Sequence, residues 1–317
     1  MFRTLIALSL AAGLAGTSLA QAEPVISTPV PATQMSSQQF DFTSAVNGRT
    51  YRVTVARPFA LPPKEGYPVV YVLDGGAYFS TFASAIQLRS ALGGEIAPAV
   101  VVGIGYPSES MIVAMTRRSL DLTPSQPSAG QTEPDAASGP KPEYAGADDF
   151  FKVIDTEIRP QIAKMTRVAP GKDVLFGHSL GGLFVLHTLF THPDAFNTYL
   201  ALSPSIWWAD RAVLKQEAAF SAQVVAGKTT PRVFIGVGGL EQTAPEKLQP
   251  GQTREQATKD AARFRMVGNA TDLARRLAKL KGASGYVVQS KVFPDQSHMS
   301  VPWEALNTMV NFALPPN

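Results

Sequence analysis

The segment Gly177-His178-Ser179-Leu180-Gly181-Gly182 has the plainest capacity for chemistry in this 317-residue chain. A serine hydroxyl is a weak nucleophile until it is held exposed and a neighbouring base takes its proton. The G-x-S-x-G pattern meets the first condition when it joins a strand to a helix. The serine then sits on a strained turn, and the glycines let neighbouring backbones approach. Here an apolar run, residues 173–176, leads directly into the pattern, and an apolar helix-like stretch, residues 182–189, follows it. Five residues can match by chance, so this setting carries most of the weight. The competing reading is a glycine-rich packing turn.

The base is found by elimination among four histidines. His178 lies inside the turn, where its ring does not reach back to Ser179. His187 and His192 belong to the helix that follows, and their spacing of five fits no metal-binding pair on one helical face. His298 remains, in a loop after the last strand-like run and before the final helix. In α/β-hydrolases the chain order is serine, acid, histidine, with the histidine after the last strand. The acid belongs between them. Glu241, at the mouth of residues 232–237, is the expectation, since it can accept the imidazole N–H and hold the tautomer. Asp295, three residues before His298, competes, and a Ser–His dyad is the third arrangement. Two N–H donors must face the developing oxyanion. Leu180 supplies one, and Gly76 of Asp74-Gly75-Gly76-Ala77 is the expected second, although a plain tight turn fits that loop equally well.

Several elements must position these groups. Residues 67–73, 99–104, 173–176, 198–202, 232–237 and 286–292 are apolar runs without alternation, as in strands covered on both faces. Between them lie helical patterns at 148–165, 182–189, 269–280 and 301–312. Before them, Phe40, Phe42, Tyr51, Val53 and Val55 alternate with polar residues around Asn47-Gly48, an antiparallel hairpin. The sum is an α/β-hydrolase fold: a mainly parallel central sheet with helices on both faces and an antiparallel N-terminal hairpin. Two segments interrupt it. Residues 123–147 hold five prolines and few large apolar side chains, and residues 241–260 are polar. Both are surface insertions at the strands' carboxyl edge.

Composition bounds the rest. With no cysteine, thiolate metal sites, disulfides and a cysteine nucleophile are excluded. A net charge of +3 is too balanced to argue for nucleic acid. Arg3, the apolar residues 5–19 and Ala20-Gln21-Ala22 read as an export signal cleaved after Ala22, too short to span a membrane. The expected organisation is a leader (1–22), a linker (23–37) and one catalytic domain (38–317), exported to the periplasm without membrane insertion. No cofactor or metal is implied.

Five segments together are similar to the esterase D-type superfamily: residues 71–78, Arg118-Ser-Leu-Asp-Leu-Thr-Pro124, the serine elbow, Leu202-Ser-Pro-Ser-Ile-Trp-Trp208 and Ser297-His298. Within it the chain most resembles siderophore esterases that open trilactone catecholates. That resemblance implies a serine ester hydrolase working through an acyl-enzyme on a ferric siderophore. It also implies that Arg118 faces the anionic substrate and that Trp207 lines the same mouth and stacks on an aromatic ring. Gln296-Ser297 departs from the family, which usually has a carboxylate close before the histidine. A general carboxylesterase, an acyltransferase and a non-catalytic binding protein are the alternatives.

Overall fold

The computed structural model describes residues 34–108, 111–129, 142–248 and 250–316. The expected leader and most of the expected linker lie outside them, as do residues 130–141 of the proline-rich segment. The strands are β1 (Ser37–Thr43), β2 (Thr50–Ala56), β3 (Val69–Leu73), β4 (Val100–Gly105), β5 (Val174–His178), β6 (Thr198–Leu202), β7 (Arg232–Gly238) and β8 (Val287–Phe293). The helices are α1 (Gly75–Leu88), α2 (Met111–Leu122), α3 (Ala147–Lys152), α4 (Arg159–Met165), α5 (Leu180–Thr191), α6 (Trp208–Arg211), α7 (Glu217–Val225), α8 (Arg254–Phe264), α9 (Met266–Ala278) and α10 (Val301–Ala313).

The strands form one sheet in the order β1-β2-β4-β3-β5-β6-β7-β8. β1 pairs antiparallel with β2, and β2 with β4; every later pairing is parallel. This is the α/β-hydrolase arrangement, with the expected hairpin at its start. Phe40 faces Val53 and Phe42 faces Tyr51 in register. The hairpin closes through residues 44–49 with Gly48 at φ 70°, a conformation that costs glycine nothing.

The unbroken apolar runs have a simple cause. Side chains alternate along a strand, and here both faces are covered. Val69, Tyr71, Leu73 and Leu175 pack with Leu183, Phe184 and Leu186 of α5, Phe220 of α7 and Leu273 of α9. Val70, Val72 and Phe176 pack with Phe79, Phe82 and Ile86 of α1 and with Val301 and Met309 of α10. Each residue of β3, β4, β5 and β6 is therefore buried.

β8 departs from that expectation. It is the edge strand, most of its side chains are exposed, and only Phe293 is fully buried. Gln289, Ser290 and Lys291 suit a position where an open edge must not recruit another strand. The stripe Phe151, Ile154, Ile158 and Ile162 is buried as expected, but its helix contains a π-helical turn, Val153–Ile158, between α3 and α4. That turn falls just before Pro160, whose ring and missing N–H disturb the regular ladder. α2 was not anticipated, because its charged residues mask its periodicity.

One of those charged residues is tied deep into the fold. Asp121 is 1% exposed. Its carboxylate accepts a hydrogen bond from Tyr106 Oη at 3.0 Å and pairs with Arg49 beside the hairpin. Burial pushes it up to about 6, against the pull of Arg49 and of the tyrosine hydroxyls. An unfolded aspartate titrates near ~3.9, so between pH 4 and 6 the folded chain holds a proton that the unfolded chain has released. Stability from this group is therefore full below about pH 4 and lost as the pH rises through about 6, by up to ~3 kcal/mol. Urea unfolding of wild type and Asp121→Asn across pH 4.5–7 checks this. Wild type is expected to lose stability relative to the variant as pH rises, and a pH-independent difference would contradict it.

Candidate active site

Ser179 stands between β5 and α5 with φ 61° and ψ −119°, a strained backbone for any residue with a Cβ. Three hydrogen bonds hold it there. Its N–H donates to Leu202 O at 3.1 Å, and its carbonyl accepts from Leu183 N at 3.0 Å and Ser205 N at 3.1 Å. A Cβ on Gly177 would lie 2.2 Å from Gly181 O, and one on Gly182 would lie 2.8 Å from Leu202 O. Gly177 and Gly182 are thus required by close backbone approach, whereas a Cβ on Gly181 would come no nearer than 3.4 Å, to Asp74 Oδ2. The serine side chain meets Ser205 Oγ at 3.5 Å and is partly exposed, so a substrate can reach it.

His298 and Glu241 are brought together from different loops. His298 Nδ1 lies 2.6 Å from Glu241 Oε2. The Glu241 side chain is 1% exposed and that of His298 is 37% exposed. The second carboxylate oxygen of Glu241 accepts from Gly238 N at 2.7 Å and from the Ser203 hydroxyl. Glycine again makes the approach feasible: a Cβ on Gly238 would lie 2.4 Å from Gln296 O, and one on Gly239 would lie 2.4 Å from Pro294 O. The loop before His298 therefore packs directly on the end of β7, from which Glu241 projects. Asp295 is exposed. A carboxylate on Nδ1 leaves the proton of a neutral ring at Nδ1 and the lone pair at Nε2, the form a general base needs.

Leu180 is the first residue of α5 and Gly76 the second of α1. The opening N–H groups of a helix have no partner within it, so both are available as donors. Asp74 caps α1 in the left-handed region, φ 52° and ψ 48°. A Cβ on Gly181 would lie 3.4 Å from Asp74 Oδ2, so the two helix starts stand close together. A Cβ on Gly76 would meet nothing within 4 Å, so the space before it is open.

Arg118, which the resemblance turns toward the substrate, is held beside the elbow by Asp74. It is 7% exposed, and its guanidinium grips Asp74 with Nε on Oδ1 and Nη2 on Oδ2, both at 2.8 Å. Trp207 is half-buried, its ring 4.3 Å from that of Phe264 and 5.9 Å from that of Trp208.

Sequence reasoning missed four contributors. Tyr78 Oη lies 2.9 Å from His178 Nδ1, and the His178 ring lies 4.5 Å from that of His298. Trp303, 53% exposed, has its ring 6.0 Å from that of Tyr78. Ser203 anchors Glu241. The Ser-Pro-Ser segment held a signal for Ser203 and Ser205, since both flank a strand end beside the elbow; nothing local marks Tyr78.

The Ser179 hydroxyl meets Ser205, while the His298–Glu241 pair stands beside His178 next to it; the fold itself is that of the α/β-hydrolases. Comparison with known proteins narrows the class. A family model described as putative esterase matches residues 44–274. Over 272 residues the chain is 32% identical to the ferri-bacillibactin esterase BesA of Bacillus subtilis, covering 85% of this chain and 86% of that one. It is 34% identical over 284 residues to the siderophore triacetylfusarinine C esterase of Aspergillus fumigatus, covering 86% and 91%. The BES protein from Bacillus cereus superposes with a TM-score of 0.74 at 32% identity, covering 92% of this chain and 99% of that one. The chain belongs to the esterase family and is a hydrolase of carboxylic esters.

The geometry ranks the two candidate acids. Glu241→Gln is expected to lower kcat about 100-fold or more, and Asp295→Asn to change it less than about twofold. Steady-state rates on an aryl ester measure both, and a larger loss at Asp295 would reverse the assignment.

Proposed function

We propose that this protein is an exported serine esterase that hydrolyses ester bonds of ferric siderophores through an acyl-enzyme. The observation that carries the mechanism is the Glu241–His298 hydrogen bond beside the strained Ser179 elbow. In this reading Ser179 Oγ attacks the ester carbonyl while His298 Nε2 takes its proton. Glu241 holds the ring and balances the imidazolium. The N–H groups of Leu180 and Gly76 receive the oxyanion. His298 returns its proton to the leaving alcohol and then activates a water that releases the acid.

The substrate class is supported by relatives named for ferri-bacillibactin, triacetylfusarinine C and enterobactin. Those are different siderophores, so the support is for the class, and a ferric trilactone catecholate is the member we favour. Trp207 and Trp303 supply aromatic surface for its rings. Export rests on Arg3, the apolar residues 5–19 and Ala20-Gln21-Ala22.

The test compares wild type and Ser179→Ala on a ferric trilactone, with chromatography of the opened products. Wild type is expected to cleave it, and the variant to lose on the order of 10⁴-fold in kcat with an unchanged melting curve. A folded variant that still hydrolyses refutes the serine mechanism. A wild type that cleaves simple esters but no ferric siderophore refutes the substrate.

A further inference from the structure

A serine esterase divides its substrate between two places. In the mechanism proposed above the acid half stays on Ser179, whereas the alcohol half leaves with a proton from His298. The alcohol half must therefore lie against whatever flanks the accessible side of His298, a residue that is partly exposed.

Three apolar side chains flank it, and they come from three parts of the chain. Met299 follows His298 directly and is 70% exposed. Leu240 precedes Glu241 and is 48% exposed; its N–H donates to Gln296 O at 3.0 Å, which draws it to the loop of His298. Trp303 stands in the first turn of α10 and is 53% exposed. Hydrogen bonds from Ser300 N and Val301 N to Ser297 O wind the chain from His298 into that helix. The Trp303 ring lies 6.0 Å from that of Tyr78, whose hydroxyl meets the His178 ring beside His298. Exposed apolar side chains scattered singly need no explanation. Three around one reactive histidine form a rim that an apolar group can cover.

The geometry points to a leaving-group subsite made by Leu240, Met299 and Trp303, which takes the apolar body of the ester's alcohol half. The inference rests on the serine-esterase reading and names a part of the substrate which that reading leaves open. A further activity follows from it. Release of an alcohol and its reverse pass through the same positions, so an alcohol seated on this rim can replace water in attacking the acyl-enzyme. His298 Nε2 accepts the hydroxyl proton, the alcohol oxygen bonds to the acyl carbon, and the bond from that carbon to Ser179 Oγ breaks. Ser179 Oγ then takes the proton from the imidazolium, which leaves a new ester and free enzyme. Apolar alcohols are thus acyl acceptors as well as leaving groups.

The tests use full-length protein, with melting curves in parallel. Alkyl butyrates from methyl to hexyl vary the alcohol alone, and methyl esters from acetate to octanoate vary the acid alone. In wild type kcat/KM is expected to rise roughly tenfold from methyl to hexyl butyrate. Met299→Ser and Trp303→Ala are each expected to lower that rise to about fivefold or less, and the double variant to about twofold or less. Both side chains are largely exposed, so neither change opens a core cavity, and Met299→Ser serves alone if the tryptophan variant does not fold. The profile of the acid series should stay within about twofold in every variant. Acyl transfer is read by chromatography of the esters formed from an aryl butyrate with methanol or hexanol at equal concentration. Hexanol is expected to give roughly tenfold more ester than methanol, and the double variant to lose that preference. Rates independent of alcohol length in wild type overturn the inference, as does equal transfer to the two alcohols. So does a rise at the wild-type level in folded Met299→Ser or in the folded double variant. A variant loss shared equally by both series would make the residues structural, and one confined to the acid series would move the rim to the acyl side. A wild type that opens the ferric trilactone but no neutral ester also overturns it, since an apolar subsite admits neutral alcohols. A wild type inactive on every ester, the trilactone included, instead removes the serine-esterase reading on which the inference stands.

Discussion

The arrangement depends on one strained residue. Ser179 can hold φ 61° only while the turn around it is over-determined, and that turn is made of backbone packed against backbone. Gly177 lets the elbow fold onto Gly181, and Gly182 lets α5 lie against Leu202 and Pro204 at the end of β6. Hydrogen bonds from Ser179 N to Leu202 O and from Ser205 N to Ser179 O then staple the serine to the neighbouring strand. The strain is repaid by the sheet, because β5 is central and covered on both faces. The segment after β6 inherits a position from the same bonds, which is why Ser205 meets the Ser179 hydroxyl.

His298, the proposed base, is brought beside the elbow by similar backbone packing. Gly238 and Gly239 let residues 294–296 pack on the end of β7 without an intervening side chain. Glu241 then meets His298 across two chain segments, and its remaining oxygen is satisfied by Gly238 N and Ser203. A buried carboxylate with no such donors would be costly to keep charged. With them it stays an acceptor for the histidine. Ser203 extends from β6, so the carboxylate is anchored to the strand beside the elbow as well as to its own loop.

Much of this was legible in the residues themselves. The covered strands announced themselves as runs without alternation because two different cores needed every side chain, as at Val69 to Leu73. The elbow and His298 could be read because chain order and chemistry limit the choices. What could not be read was pairing. Arg118 is a charge in a motif, and the sequence gives no sign that Asp74, forty-four positions earlier, will pair with it. Glu241 and Asp295 were both carboxylates near the right place, and only the packing of residues 294–296 on two glycines separates them. β8 was read as covered because Val287, Val288 and Val292 look like a core strand, yet at the edge of the sheet Val287 and Val292 are exposed and only Val288 packs partly against the core.

His178 shows how that packing bears on the chemistry. Its ring is buried and lies 4.5 Å from that of His298. No hydrogen bond of good geometry reaches its Nε2, although the His298 backbone is close enough to favour a proton there. Burial, followed by His298 and Arg118, holds it well below the usual histidine range. Burial also pushes Tyr78 up to about 12, so the tyrosine keeps its hydroxyl proton beside His178 Nδ1. In the proposed mechanism His298 becomes an imidazolium at each transition state, while Glu241 supplies the balancing charge. A second imidazolium at 4.5 Å would oppose it by roughly 4 kcal/mol at an effective dielectric near ~20. An elbow with histidine before the serine is therefore compatible with a histidine base only if that neighbour is kept neutral. Tyr78, the shielding around it and the Arg118 charge at the His178 carbonyl all act in that direction.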